Sequence, residues 1–238
     1  GDVISETAGP AYGYFAGGDP GSKSTVDRID YSSDTSTAAA KGPLSQARYG
    51  LAATGNASYG YFGGGDTYST VDRIDYSNDT PTATAKGPLS SARYRLAATG
   101  NSSYGYFAGG EPGPPFTSTV DRIDYSNDTG TTPTKGPLSV GRRNLAATGN
   151  ANYGYWGGDG PVPSPVSTVD RIDYSNDTAT AAAKGPLTSV RFGMGATGNT
   201  SYGYWGGGYP NVSTVDRVDY SNDTATAAAK GPLSQARG

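Results

Sequence analysis

Apolar and polar residues along this chain do not follow a helical period. They come in short runs cut by turn residues, and the runs recur. Leu51-Ala52-Ala53-Thr54 is small and apolar and gives way to a Gly55-Asn56 turn. Tyr59-Gly60-Tyr61-Phe62 follows and ends at Gly63-Gly64-Gly65. Residues 69–76 place Val71, Ile74 and Tyr76 among polar neighbours and stop at Ser77-Asn78-Asp79-Thr80, a cluster that favours a turn. A fourth run, 82–86, closes at Gly87-Pro88. Runs of about 4–8 residues bounded by such signals predict β-strands, and the density of Gly and Pro excludes sustained helices.

The same four runs occur five times. Tyr-Gly-Tyr-(Phe/Trp) begins at Tyr12, Tyr59, Tyr104, Tyr153 and Tyr202, with spacings of 47, 45, 49 and 49. Val-Asp-Arg-(Ile/Val)-Asp-Tyr begins at Val26, Val71, Val120, Val169 and Val215, and Lys-Gly-Pro-Leu at Lys41, Lys86, Lys135, Lys184 and Lys230. Four strands in a unit of this length are the size of a propeller blade. One blade cannot bury both of its faces, so blades stack around an axis. The expected fold is therefore all-β: a five-bladed β-propeller, four antiparallel strands per blade, in one domain over 1–238. Its blades fall approximately at 1–47, 48–92, 93–141, 142–190 and 191–238. The Ala- and Gly-rich first strand suits the crowded centre, and the aromatics of the second strand suit the gaps between blades.

Segments of the repeat resemble the kelch family. The resemblance lies in Pro43-Leu44-Ser45-Gln46-Ala47-Arg48, Tyr59-Gly60-Tyr61-Phe62-Gly63-Gly64 and Val71-Asp72-Arg73-Ile74-Asp75. It covers essentially the whole chain and implies a propeller that binds proteins through its loops. Two departures stand out. Asp159 replaces the second Gly of the pair in unit four, and the last strand lacks a Trp and is Ala/Thr-rich, which implies a weakly packed outer strand. The wording Ser-Thr-Val-Asp-Arg-Ile-Asp-Tyr-Ser-Asn-Asp-Thr is also similar to repeats in marine phage and virus proteins, implying a virion or extracellular surface.

Composition narrows the function classes. Hydrophobic residues make up only 34%, but 19 Tyr, 5 Phe and 2 Trp at fixed places argue against disorder. The net charge is −3 with no basic stripe, so no nucleic-acid partner is expected. No apolar run reaches the roughly 18 residues of a membrane span. The chain has no Cys and no His, which removes thiol chemistry and the commonest general base. No nucleophile elbow or phosphate-binding loop is present. The reading is a non-enzymatic binding or structural module with no cofactor and no metal. Its partner is a protein, with a glycan as the alternative. A carboxylate glycosidase, the least favoured reading, would need two nonequivalent acids, and only Asp19, Asp66, Glu111 and Asp159 differ in context.

Comparison of the units locates the candidate site. They differ in the loop after the second strand (residues 19–23, 66–68, 111–117, 160–166 and 209–212) and in the connection between the fourth strand and the next first strand. In a four-stranded meander both leave by the same face. That face gathers Tyr49, Tyr68, Tyr94, Arg95, Phe116, Arg143, Phe192 and Tyr209, residue types that dominate interface energetics. The pair Arg95 and Arg143 suits a carboxylate or sulfate.

Positions that repeat unchanged are read as scaffold. Arg28 and Asp30, Arg73 and Asp75, Arg122 and Asp124, Arg171 and Asp173, and Arg217 and Asp219 share one strand face and are expected to pair with each other or with turn backbone. The turn acids are read as Asx turns rather than Ca²⁺ ligands. The series Arg48, Arg93, Arg142, Arg191 and Arg237 is expected to tie neighbouring blades. Because the chain begins on a first strand (4–10, with Pro10 removing a ladder donor) and ends after a fourth, the ring is expected to close by face-to-face packing of blades 5 and 1. No strand is exchanged between the ends in that closure.

Overall fold

A computed structural model describes residues 12–113, 115–159 and 166–238. They form a five-bladed β-propeller of five antiparallel sheets, with helix confined to two single 3-10 turns among the described residues. Blade 1 holds β1 (Tyr12–Ala16), β2 (Val26–Asp30) and β3 (Ala39–Ala40). Blade 2 holds β4 (Ala52–Gly55), β5 (Tyr59–Gly63), β6 (Val71–Asp75) and β7 (Thr84–Lys86). Blade 3 holds β8 (Ala97–Gly100), β9 (Tyr104–Ala108) and β10 (Val120–Asp124). Blade 4 holds β11 (Ala146–Gly149), β12 (Tyr153–Gly157), β13 (Val169–Asp173) and β14 (Ala182–Lys184). Blade 5 holds β15 (Gly195–Gly198), β16 (Tyr202–Gly206), β17 (Val215–Asp219) and β18 (Ala228–Lys230). The expected first strand of unit one, 4–10 with Pro10, lies outside the described residues.

Each four-stranded sheet is a simple meander, neighbours in sequence pairing in space. Blade 3 departs from the expected four strands. Its outer segment makes one bridge, Asp121 with Thr134, because Pro133 sits where the ladder needs an N–H. Pro133 still accepts from Arg122 N at 3.1 Å, so the chain runs in register without a full strand. Outer strands elsewhere span two or three residues and are largely exposed, as their Ala-rich sequence predicts.

The core lies between the blades. Strand alternation sends Tyr61 and Val71 toward the next blade and Phe62 and Ile74 toward the previous one. The four buried clusters each span one joint between successive blades. At the joint of blades 2 and 3, Tyr61, Val71 and Leu89 meet Phe107, Ile123 and Tyr125. Burying one such aromatic side chain contributes on the order of 1.5–3 kcal/mol. The last aromatic of the second strand reaches furthest inward: Trp156 Nε1 donates to Ala97 O at 3.2 Å and Trp205 Nε1 to Ala146 O at 3.1 Å.

Two glycines of the repeat are required by these approaches. Tyr76 lies over Gly60 of its own sheet while stacking on Tyr14 of blade 1, with ring centroids 4.9 Å apart. A Cβ on Gly60 would stand 2.8 Å from the Tyr76 hydroxyl. In Lys86-Gly87-Pro88 the Gly87 N–H donates to Asp128 O at 2.8 Å, and a Cβ there would fall 1.7 Å from Gly130 O.

Face-to-face closure between blades 5 and 1 is not what the described residues show. Among the described residues no strand is shared between the ends. No buried cluster, however, spans blades 5 and 1 among the described residues.

Candidate functional site

A polar clasp at each joint fixes the blades against one another. In the first, the turn acid Asp79 accepts from Tyr14 Oη at 2.9 Å and from Arg28 Nη1 at 2.8 Å, and Lys41 Nζ lies 3.2 Å from its other oxygen. Asp128, Asp177 and Asp223 take the equivalent Tyr, Arg and Lys of the preceding blade. Burial alone would raise the Asp79 pKa. The Tyr14 and Lys41 hydrogen bonds and the charges of Arg28 and Lys41 outweigh it and hold the carboxyl below the usual range.

A second clasp is fully buried. Arg48 donates to Asp72 at 2.9 Å and to Phe62 O at 3.0 Å, and Asp72 also accepts from Ser45 N and Oγ. Arg93 pairs with Asp121, Arg142 with Asp170 and Arg191 with Asp216. The Arg series ties neighbouring blades, as expected, in its first four members. Arg237 is exposed, and among the described residues its pairing is through the backbone, with Val212 and Gly208.

Of the two pairings expected for these residues, the aspartates make the one with turn backbone, and the Arg–Asp pairing within a strand is corrected here. Among the described residues no ion pair joins Arg28 to Asp30, nor the equivalent residues in later blades. Asp30 accepts from Ser32 N at 2.9 Å and Oγ at 2.6 Å, and Asp75, Asp124, Asp173 and Asp219 do the same with their own serines. These are the expected Asx turns. Arg28, Arg73, Arg122 and Arg171 instead reach the turn acid of the following blade, and each lies over a Tyr of its own sheet. Arg217 lies over Tyr202 at 4.3 Å. Sequence reasoning missed the roles of Asp79 and Asp72. A signal was available: the turn is already satisfied by Asp75, so a second invariant acid four residues later needs another partner.

The two variable regions do share one face. Tyr94 bridges Glu111, Phe192 bridges Tyr209, and Asp66 N donates to Tyr49 O at 3.0 Å, so in blades 2, 3 and 5 the loop after the second strand lies against the connection into the blade. That connection passes through Gly50, Arg95, Asn144 and Gly193, all in the left-handed region with φ of 65°, 57°, 51° and 67°. Their backbones link around the axis: Arg95 N to Gly50 O at 2.7 Å, Asn144 N to Arg95 O at 2.9 Å, Gly193 N to Asn144 O at 3.0 Å. They border a cavity of about 310 Å³ reached by all five blades. A non-glycine residue pays roughly 1 kcal/mol or more for this conformation, and the three bonds hold Arg95 and Asn144 in it.

The predicted residues fall into two groups. In the first, Tyr49 meets Tyr94 edge to face at 5.9 Å, Arg95 lies over Tyr94 at 5.0 Å, and Arg143 lies over Phe116 at 4.4 Å. In the second, Phe192 and Tyr209 lie 5.0 Å apart on blade 5. Tyr68 stands apart from both, 37% exposed, and Tyr209 is 58% exposed. The arginine pair holds an anion of the chain itself: Arg95 donates to Glu111 Oε1 at 2.8 Å and Arg143 to Oε2 at 2.5 Å. Glu111 is buried, which alone would raise its pKa, but Tyr94, Arg143 and Arg95 keep it ionised. The other loop acids also have partners. Asp19 caps Gly21 N, Asp66 accepts from Ser22 Oγ and Tyr49 N, and Asp159 accepts from Asn144 Nδ2. Residues 160–165 and Pro114 of the variable loops lie outside the described residues.

No group of three or more metal-ligating side chains occurs among the described residues, and none of their helices is long and apolar enough to cross a membrane. No family model matches the chain, and no curated protein matches it.

Proposed function

We propose that this propeller is a non-catalytic binding scaffold that takes a protein partner on the face carrying its variable loops. The observation that carries this reading is the sorting of residue types by face. The opposite face carries near-identical Asn and Asp turns closed on themselves, as where Asn56 Oδ1 accepts from Ser58 N and Tyr59 N. The variable face gathers the tyrosines, phenylalanines and arginines that differ from blade to blade, most of them held by a ring or ion-pair neighbour. Anchored aromatics lose little side-chain freedom on association, which favours affinity. The acids that a hydrolase would need are occupied by arginine, asparagine, serine or turn backbone, which supports a binding role over carboxylate chemistry. The kelch likeness of the repeat agrees with loop-mediated protein binding, and its phage-like wording with a virion or extracellular setting.

Tyr209 and Tyr68 give the cleanest test because replacing them touches neither clasp. Selection from a random displayed-peptide library against the chain should yield binders that lose at least about tenfold in affinity to a Tyr68→Ala, Tyr209→Ala variant, a hot-spot-sized loss. Peptides binding the variant equally well would move the site off this face. Binding confined to a glycan array would make the ligand a sugar.

A further inference from the structure

The four internal joints display what a blade of this repeat packs against, and the two outermost faces of the described fold repeat that chemistry with nothing opposite. The outward face of blade 5 carries Tyr204, Arg217, Lys230 and Arg237. Their counterparts at the first joint, Tyr14, Arg28 and Lys41 of blade 1 and Arg48 of the connection into blade 2, grip Asp79 and Asp72 of blade 2. Yet Lys230 and Arg237 are exposed, and Tyr204, Val215 and Leu233 are only half-buried where their counterparts in blades 1–4 are fully buried. Gly231 is the most direct witness. A Cβ at Gly42, Gly87, Gly136 or Gly185 would strike the next blade's backbone within 1.8 Å, whereas at Gly231 nothing stands within 4 Å. On blade 1 the matching acceptors, Asp27 and Asp34, make no ion pair among the described residues, and Phe15 is 36% exposed where Phe62 is 1%.

These faces are complementary, but among the described residues no buried cluster or ion pair joins them. Among the described residues, the cavity of about 480 Å³ against blade 5 is lined from Gly193 to Gly238. The four joints use the same side chains. Whatever fills the seam must offer an acidic, aromatic face to blade 5 and a Tyr/Arg/Lys face to blade 1. Each unit of this repeat carries both, on opposite sides of one sheet.

We propose that the seam between blades 5 and 1 is a docking site for one further unit of this same repeat. That unit presents its strand and turn aspartates to Tyr204, Arg217, Lys230 and Arg237, and its basic face to Asp27 and Asp34 of blade 1. Charge complementarity and continuity with four existing joints specify this occupant. The proposal is independent of the ligand-binding role of the loop face.

The test extends the full chain after Gly238 with a copy of residues 50–93. This keeps the register, because Arg237-Gly238 stands where Arg48-Tyr49 stands. Carboxyl footprinting should label Asp27 and Asp34 readily in the unextended chain and Asp72 and Asp79 poorly. In the extended chain, labelling of Asp27 and Asp34 should fall at least about tenfold and Tm should rise by roughly 5 °C or more. An extension carrying Asp72→Ala and Asp79→Ala should lose that rise. Unchanged labelling and Tm on extension would overturn the proposal. The unextended chain supplies a second arm that needs no new variant to fold. A Lys230–Asp34 zero-length crosslink in its monomer would show that the chain closes on itself. Concentration-dependent dimers protecting Asp27 and Asp34 would give the seam to a second copy. Either result would also overturn it.

Discussion

Among individual residues, the buried Arg–Asp clasps have most to lose. Arg48 and Asp72 are both fully buried, and Asp72 takes Arg48, Ser45 N and Ser45 Oγ together. Asp72→Ala would strand a guanidinium in a site without water, and removing one member of such a pair costs about 3–5 kcal/mol. Urea denaturation should show that loss, whereas Asp75→Ala, at an exposed turn, should cost about 1 kcal/mol. The same chemistry sets the pH range. Asp79 and Asp128 have folded pKa values below the usual carboxylate range. Their stabilisation is therefore complete above the unfolded value of about 4 and lost as pH falls through the lower folded one. Tyrosines limit the alkaline side. Burial pushes the Tyr220 phenol up to about 12, and burial followed by the Asp128 hydrogen bond raises Tyr61 further. Their contribution is full below about pH 10 and disappears as pH climbs through the raised folded values. Circular dichroism against pH should show a broad plateau with unfolding at both extremes.

Single strands matter less than joints between blades. Inner strands β4, β8, β11 and β15 touch in succession around the axis, and the Lys-Gly-Pro segments of blades 1–4 bond back and forth with the next turn. At the joint of blades 2 and 3, Gly87 N donates to Asp128 O and Thr132 N returns to Pro88 O at 2.9 Å. Gly87→Ala would force a methyl against the backbone of Gly130, which cannot move without opening the joint. A loss of about 2–3 kcal/mol is expected, the upper range for overpacking. Gly231→Ala, where space is open, should be nearly neutral. Thermal melts of the two variants make the comparison.

For the molecule as a whole, nearest-neighbour joints imply graded stability rather than a uniform one. Blades 2, 3 and 4 are each held by two complete joints, while blade 5 is held by one. Amides of β17 should therefore exchange at least about tenfold faster than those of β10 by hydrogen-exchange mass spectrometry, because opening blade 5 breaks half as much. Equal protection would mean that the five blades open together.

Repetition made most of this legible from residues alone. Five copies of Tyr-Gly-Tyr, Val-Asp-Arg and Lys-Gly-Pro fixed the number of blades, the strand order and the face on which the variable loops gather. Those follow from strand periodicity and turn chemistry, which are local. Arg95 and Arg143 could be named as a pair, but not that Glu111 lies between them, since that depends on how the loops of blade 3 fold back. Arg28 and Asp30 stand on one strand face, yet only the packing of a second sheet offers Arg28 the better acceptor in Asp79. Pro133 broke an outer strand that the repeat pattern had promised. Who pairs with whom across a joint, and that no fifth joint forms between blades 5 and 1 among the described residues, depend on the angle at which whole sheets meet. That angle is a sum of many side-chain contacts from distant parts of the chain, and no local pattern encodes it.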